Sequence, residues 1–389
     1  MNKTITILIS ILLVFGSCRE QTPETSLPFI NLSELSYSDD EILLSDFAED
    51  VSYFPLETND SSLISEIHDA VIIDSAIVVF DYYLNTVQLF SLRGEFIKSL
   101  SDHKKVAPDS SHIHQVIYDS VSRQLLLYTN GLMIHQYSQN GEYIQSRKFS
   151  NVIPFYIYPV EKKFLLYFPY PRSLAFDNYS FAISNSALEI TDRFAYRDVT
   201  WKPAENDMVF YPNYYYFYDT LCFWNRYCDT VFGFIENQIV PRFVIANSKL
   251  QTARQNYYQI KHGITDVGFM LYRIHETGKL MFLESVMNKS RCHLIFNKNN
   301  KTAINIKNPN SIAPYAIMDD IRGGYPFWPD RTTKDYMLMF ISAEKLVKYL
   351  SWLKGENVNE NVPDCRLMNV LSKITIQDNP VIIRIKLKK

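Results

Sequence analysis

Residues 90–99 read FSLRGEFIKS, and residues 137–146 read YSQNGEYIQS. Gly94 matches Gly141, Glu95 matches Glu142, Phe96 matches Tyr143, Ile97 matches Ile144 and Ser99 matches Ser146, all at an offset of 47 residues. Each copy is an aromatic strand, a two-residue turn and a second aromatic strand, and Asn140-Gly141 suits a type I′ hairpin. Weaker copies follow as FAISNSALEITDRF (181–194), VFGFIENQIVPRFVI (231–245) and CHLIFNKNNKTAINI (292–306). Each hairpin is preceded by an apolar strand: IVVFDYY from 77, QLLLYT from 124, KFLLYF from 163, YYYFYDTLCFW from 214 and KLMFLES from 279.

Units of four short strands at a period in the forties are the signature of propeller blades. Five such units, plus YMLMFIS from 336 and PVIIRIKL from 380, make six. The expected fold is therefore an all-β, six-bladed β-propeller over 46–389. A ring must close, and pairing DVSYFPLE (50–57) with the C-terminal blade would hide both sheet edges. Helical signal is confined to the sixth unit. AEKLVKYLSWLKG (343–355) places Leu346, Val347, Leu350 and Leu353 on one face, with Gly355 as a stop signal. With DCRLMNVLSKI from 364 as a second short helix, it reads as an insertion between strands of the C-terminal blade.

The N-terminus reads as an address. Lys3 precedes the apolar run ITILISILLVF (5–15), which is too short to span a bilayer, and Gly16 and Ser17 stand directly before Cys18. This is the arrangement of a lipobox, although Phe15 stands where Leu is usual; the alternative is an ordinary cleaved signal with an incidental cysteine. Residues 1–17 are thus expected to be a lipoprotein signal peptide and 18–45 a lipidated N-terminus and tether. Cys18 is the acylation site, and acyl chains on one cysteine suffice to hold a protein to a membrane. The expected localisation is exported and lipid-anchored to the outer membrane. Arg19 follows the cysteine and only Glu20 is acidic there, so the choice between periplasmic and surface faces stays open.

Composition narrows the function classes. A net charge of −3 argues against nucleic acid as a partner, since that requires a basic footprint. The 27 Tyr and 25 Phe suit half-buried pleated surfaces, and equally allow stacking on sugar rings. With only 11 Gly, turns must rest on Asn, Asp and Ser. Cys222, Cys228, Cys292 and Cys365 allow three disulfide pairings or none.

Several segments taken in order give the chain a resemblance: EDVSYFPLET (49–58) with LISEI (63–67), DTVFGFIENQIVPRFVI (229–245), IRGGYPFWPD (321–330), the AEKL helix and NPVIIRIKLKK (379–389). From about residue 46 onward it resembles the six-bladed β-propeller lipoproteins of Bacteroidetes, relatives of NHL- and TolB-like propellers. The resemblance implies the fold and little about activity. It also marks Arg322 as a departure, because family members usually carry an acid there.

No phosphate loop, GxSxG elbow or HExxH is present, so no cofactor, metal or catalytic residue is assigned. His112-x-His114 could place two imidazoles on one strand face as a metal pair needs, or be solvated loop histidines. The segment 318–331 (MDDIRGGYPFWPDR) is the best candidate ligand loop. Asp319, Asp320, Arg322, Asp330 and Arg331 concentrate charge around Gly323-Gly324, while Tyr325, Phe327 and Trp328 offer flat faces. The competing reading is a tight crossover with those rings in the core. The run from Tyr211 to Tyr218 (YPNYYYFY) invites glycan stacking, although strand alternation would bury every second ring. The expected function is a binding or scaffold module for a glycan, peptide or partner protein in the cell envelope. The alternative is a carbohydrate-active lyase or hydrolase with its site at the channel mouth.

Overall fold

The computed structural model describes residues 27–35, 42–100, 112–130, 132–149, 152–168, 181–194, 213–218, 220–224, 229–246, 269–287, 290–306, 313, 315–355, 369 and 371–388. Two strands precede the repeat, β1 (Phe29–Asn31) and β2 (Ala48–Pro55). Blade 1 is β3 (Asp69–Ile72), β4 (Ile77–Asp81), β5 (Thr86–Phe90) and β6 (Phe96–Ser99). Blade 2 is β7 (Ile113–Asp119), β8 (Gln124–Thr129), β9 (Met133–Ser138) and β10 (Tyr143–Lys148). Blade 3 is β11 (Tyr156–Val160), β12 (Lys163–Tyr167), β13 (Phe181–Ser184) and β14 (Ile190–Phe194). Blade 4 is β15 (Asn213–Phe217), β16 (Thr220–Trp224), β17 (Thr230–Ile235) and β18 (Gln238–Ala246). Blade 5 is β19 (Phe269–Glu276), β20 (Leu280–Met287), β21 (Ser290–Asn297) and β22 (Thr302–Asn305). Blade 6 has β23 (Arg331–Thr332), β24 (Tyr336–Ile341) and β25 (Val381–Leu387), with β2 as its outermost strand.

The protein is thus the expected six-bladed β-propeller. The first strands of blades 2 and 3, of blades 4 and 5 and of blades 5 and 6 touch one another around the axis, and each blade is a meander from there outward. The ring closes where predicted: β2 pairs antiparallel with β25, Val51 facing Ile385 and Tyr53 facing Ile383. The apolar stretch from 214 proves to be two strands, because Tyr218 adopts φ 52° and reverses the chain between β15 and β16.

The repeated turn differs from the type I′ expectation. Gly94 and Gly141 are left-handed (φ 85° and 73°) while their predecessors are not. Ser91 and Ser138 explain this. Each Oγ accepts the N–H groups two and four residues on, which folds the chain tightly before the glycine. The third copy keeps the device without glycine: Asn185 Oδ1 accepts from Ala187 and Glu189, and Leu188 takes φ 66°. A two-residue turn with both φ values positive does occur in blade 4, at Glu236-Asn237 (49° and 60°).

Apolar cores lie between adjacent blades, because each sheet buries both faces. Phe282, Phe327, Met337 and Ile383 join blades 5 and 6, and the single described helix caps that core. This helix, α1 (Ala343–Gly355), leaves blade 6 between β24 and β25 as expected. Its buried stripe is Leu346, Tyr349 and Leu350, with Val347 only half-buried, so the face is rotated toward Tyr349. Most of the second helical segment lies outside the described residues, although Leu371 is buried in the same core.

The tether expected over 18–45 contains an ordered element. β1 adds to the rim of blade 4, parallel to β18, pairing Phe29 with Val244 and Asn31 with Ala246. Ile30 and Leu32 are buried between blades 4 and 5, which is the apolar gain that holds so short a strand.

Between blades 4 and 5 lies a buried polar cluster. Glu276 accepts from Arg242 (2.8 Å), Lys298 (3.0 Å) and the Tyr215 hydroxyl (2.6 Å), and both cations stand over the Phe217 ring. Burial opposes the Glu276 charge, but Arg242, Tyr215 and Lys298 together hold its carboxyl below the ordinary value. The Cys222 thiol sits 2.9 Å from Arg242 and is nonetheless pushed up to about 11 by burial. Cys228 and Cys365 lie outside the described residues.

Candidate functional site

The segment 318–331 is built around its own backbone. Asp319 is buried, and its carboxylate accepts the N–H groups of Ile321, Arg322 and Gly324 and the Tyr53 hydroxyl. Burial raises its pKa against the pull of these donors. Tyr53 Oη also accepts from the Tyr325 N–H, and a Cβ on Gly324 would lie 1.9 Å from that oxygen. Asp320 accepts the Ser45 N–H, and Arg322 pairs with Asp50 of β2 (2.8 Å). Tyr325 packs on Tyr349 of α1, and Trp328 is buried against Phe282 with its indole N–H on Glu284. Asp330 binds the Phe340 N–H and Arg273. The six candidate residues on this segment therefore meet other parts of the protein, clamping β2, β24 and the helix. Cys18, the expected acylation site, lies outside the described residues.

The last residue of that segment, Arg331, reaches the axis. All six inner strands run in the same sense, so their leading ends surround one mouth of the channel. Arg331, the first residue of β23, pairs there with Asp69, the first residue of β3. Both side chains are 28% exposed, so the pair is half-buried. Tyr214 enters from β15 beside the same charges, and the Gln115 side chain of β7 hydrogen-bonds its hydroxyl. Burial and the Asp69 charge push the Tyr214 phenol up to about 12, so it is a neutral donor and acceptor at physiological pH. The residue as a whole remains 36% exposed. Gln115 is fixed in turn, because its Oε1 accepts from the Ile157 N–H of β11.

Aromatic faces complete the mouth. Tyr158 packs on Tyr214 at 4.7 Å, with Tyr156 at 6.4 Å from the same ring. His114 stacks on Tyr156 (5.1 Å, 26°), and the Tyr158 hydroxyl and His114 Nε2 are buried without a protein partner. In the Tyr-rich run Tyr215 is buried and Tyr214 accessible, but Tyr216 and Phe217 are both half-buried, so strict alternation is not kept; Tyr211 lies outside the described residues. His112 and His114 do flank the start of β7, but His112 lies against Tyr82 and His114 against Phe155 and Tyr156. Among the described residues no group of three or more His, Cys, Asp or Glu is placed to hold a metal ion.

Sequence reasoning reached Arg331, His114 and Tyr214 separately and missed Asp69 and Gln115. These side chains come from four strands, β3, β7, β15 and β23, and only ring closure brings them together. The arrangement offers donors from Arg331, acceptors from Asp69, both from Gln115 and Tyr214, and flat rings beside them. It suits a ligand carrying many hydroxyl groups.

A family model described as "Domain of unknown function (DUF4934)" matches residues 27–386. The crystal structure of a putative exported protein from Bacteroides fragilis NCTC 9343 is similar, at 14% identity and a TM-score of 0.67 over 93% of this chain and 100% of that one. A member of the DUF4221 family from Bacteroides vulgatus is more distant, at 10% identity and a TM-score of 0.46 over 88% of this chain and 97% of that one. No curated protein matches the sequence. Among the described residues no helix is long and apolar enough to cross a membrane.

Proposed function

The chain belongs to the DUF4934 family of unknown function, and from its channel residues we propose that it is an exported, lipid-anchored binding module that holds a glycan end at the leading mouth of its propeller. The observation that carries this reading is the convergence of Arg331, Asp69, Gln115 and Tyr214 from four blades at the leading ends of the inner strands. Arg331 and Asp69 neutralise each other, so the site favours a neutral ligand able both to donate and to accept. A sugar hydroxyl does both, and the Tyr156 and Tyr214 rings supply the apolar face that a pyranose ring needs.

A thermal-shift screen of the soluble domain against mono- and oligosaccharides, with peptides as controls, tests the site. A sugar at one hundred times its dissociation constant stabilises the fold by about 2.7 kcal/mol. Tyr214→Phe removes one hydroxyl and is expected to weaken that sugar about fivefold, since a buried hydrogen bond contributes about 1 kcal/mol. An unchanged affinity in this variant would place the ligand elsewhere, and a panel without any sugar response would remove the reading. Cleavage products in the positive wells would replace a binding module by a carbohydrate-active enzyme.

Anchoring rests on Gly16-Ser17-Cys18 behind the apolar run. Mass spectrometry of the mature N-terminus is expected to find acylated Cys18. Cys18→Ser should release the protein from the membrane fraction, and retention there would refute the lipid anchor.

A further inference from the structure

The channel mouth does not end at Tyr156. His114, stacked on it, lies near His68 and His112, whose charges oppose its protonation. His68 and His112 both tilt over Tyr82, with centroids 5.5 Å and 5.0 Å away. Tyr82 touches Tyr83 at 6.2 Å, and Tyr83 is 70% exposed on the loop between β4 and β5. The loop is not slack. Asp81 holds it by accepting from Ser65, Glu66 and Leu84, so Tyr82 and Tyr83 are presented from a fixed base. Burial first, and then the neighbouring histidines, lower the His114 pKa, so that ring is neutral at physiological pH.

We infer that the rings from Tyr83 through Tyr82, His68, His112 and Tyr156 to Tyr214 form one platform, and that it binds a neutral glycan chain whose end unit occupies the channel while the following units cross blades 1 and 2. This rests on the channel reading above and extends it from a single sugar to a chain. Exposed aromatic side chains that adjoin a polar pocket without added charge suit a ligand with repeated flat apolar faces. A nucleic acid has the faces but brings phosphates, and the charged pair at the mouth already neutralises itself. A proline-rich peptide also lies on aromatic grooves, but its backbone lacks the donors that Asp69 would accept.

Calorimetric titration with monosaccharides and with hexasaccharides of the same neutral hexose, pentose and N-acetylhexosamine series separates the cases. In at least one series the hexasaccharide is expected to bind the wild-type protein about tenfold tighter than the monosaccharide, the scale of one or two ring contacts. In the Tyr82→Ala/Tyr83→Ala variant the two affinities should converge, whereas Tyr214→Phe should weaken both together. Tyr83 is exposed enough that folding of the double variant is expected, and its melting curve checks this. Equal affinities for monosaccharide and hexasaccharide, or a gap that survives the double variant, would overturn the platform and leave the channel reading standing. Loss of all sugar binding in the wild type would remove both. A proline-rich peptide bound in a Tyr82-dependent way would replace the glycan with a peptide.

Discussion

Gly94→Ala is expected to cost the fold far more than Gly141→Ala, although the two glycines occupy the same place in the same turn. At Gly141 the added Cβ meets Leu100 Cδ2 and Lys98 Cε, each 2.7 Å away, and both are ends of movable side chains. The left-handed backbone remains strained, at about 1–2 kcal/mol. Leu188 shows that a residue with a side chain tolerates this position, since it adopts φ 66° in the third copy. At Gly94 the Cβ would lie 2.0 Å from the Pro55 carbonyl oxygen, which is backbone at the end of β2. The Gly94 carbonyl also accepts the Glu57 N–H at 2.8 Å, so the turn cannot retreat without loosening the strand that closes the ring. A loss of about 4 kcal/mol or more, unusual for one methyl group, is the expected result. Urea unfolding of both variants checks it, and equal losses would disprove the tight seat of the turn on β2.

The second large effect sits in the cluster around Glu276. Glu276→Ala leaves Arg242 and Lys298 facing each other over Phe217 with no anion between them. Breaking a buried pair from one side costs about 3–5 kcal/mol. Removing the charges together should cost less, so Glu276→Leu combined with Arg242→Met and Lys298→Met is expected to recover much of that loss. A triple variant less stable than Glu276→Ala would contradict this. The pH dependence follows from the same contacts. The folded carboxyl titrates below its ordinary value of 4.5, so on acidification the unfolded chain takes up the proton first. The stabilisation is complete above that ordinary value and disappears as pH falls through the lower, folded one. Glu276 variants should therefore show a flatter decline in stability below pH 4.5 than the wild type.

How much could be read from the chain beforehand varied with the kind of residue. Two glycines in two matching turns announced the blade period, DVSYFPLE (50–57) and the C-terminal strands the closure, and the leucine spacing over 343–355 the helical insertion. The third turn carries Asn185 and Leu188 in the same roles, and nothing about a leucine advertises a left-handed backbone. The segment 318–331 was legible as unusual, and both a ligand loop and a tight crossover could be read from it. Carboxylates, arginine, paired glycines and aromatic rings are what a ligand loop requires, and also what a clamp around buried backbone requires. Its partners Tyr53 and Asp50 stand about 270 residues earlier in the chain, so the contacts it makes could not be read locally. Asp69 and Gln115 gave no signal because their neighbours at the channel mouth are spread over the whole chain.

The short strand β1 bears on how the molecule answers to mechanical load. A pull on the N-terminus, where an anchored protein would feel it, reaches β1 before it reaches β2, because the chain passes through one to get to the other. Three residues paired along the rim of blade 4 form a seam that can peel and re-zip. The eight-residue seam of β2, whose opening would undo the ring, lies behind it. Tension too small to break the propeller would thus be spent in lengthening its leash.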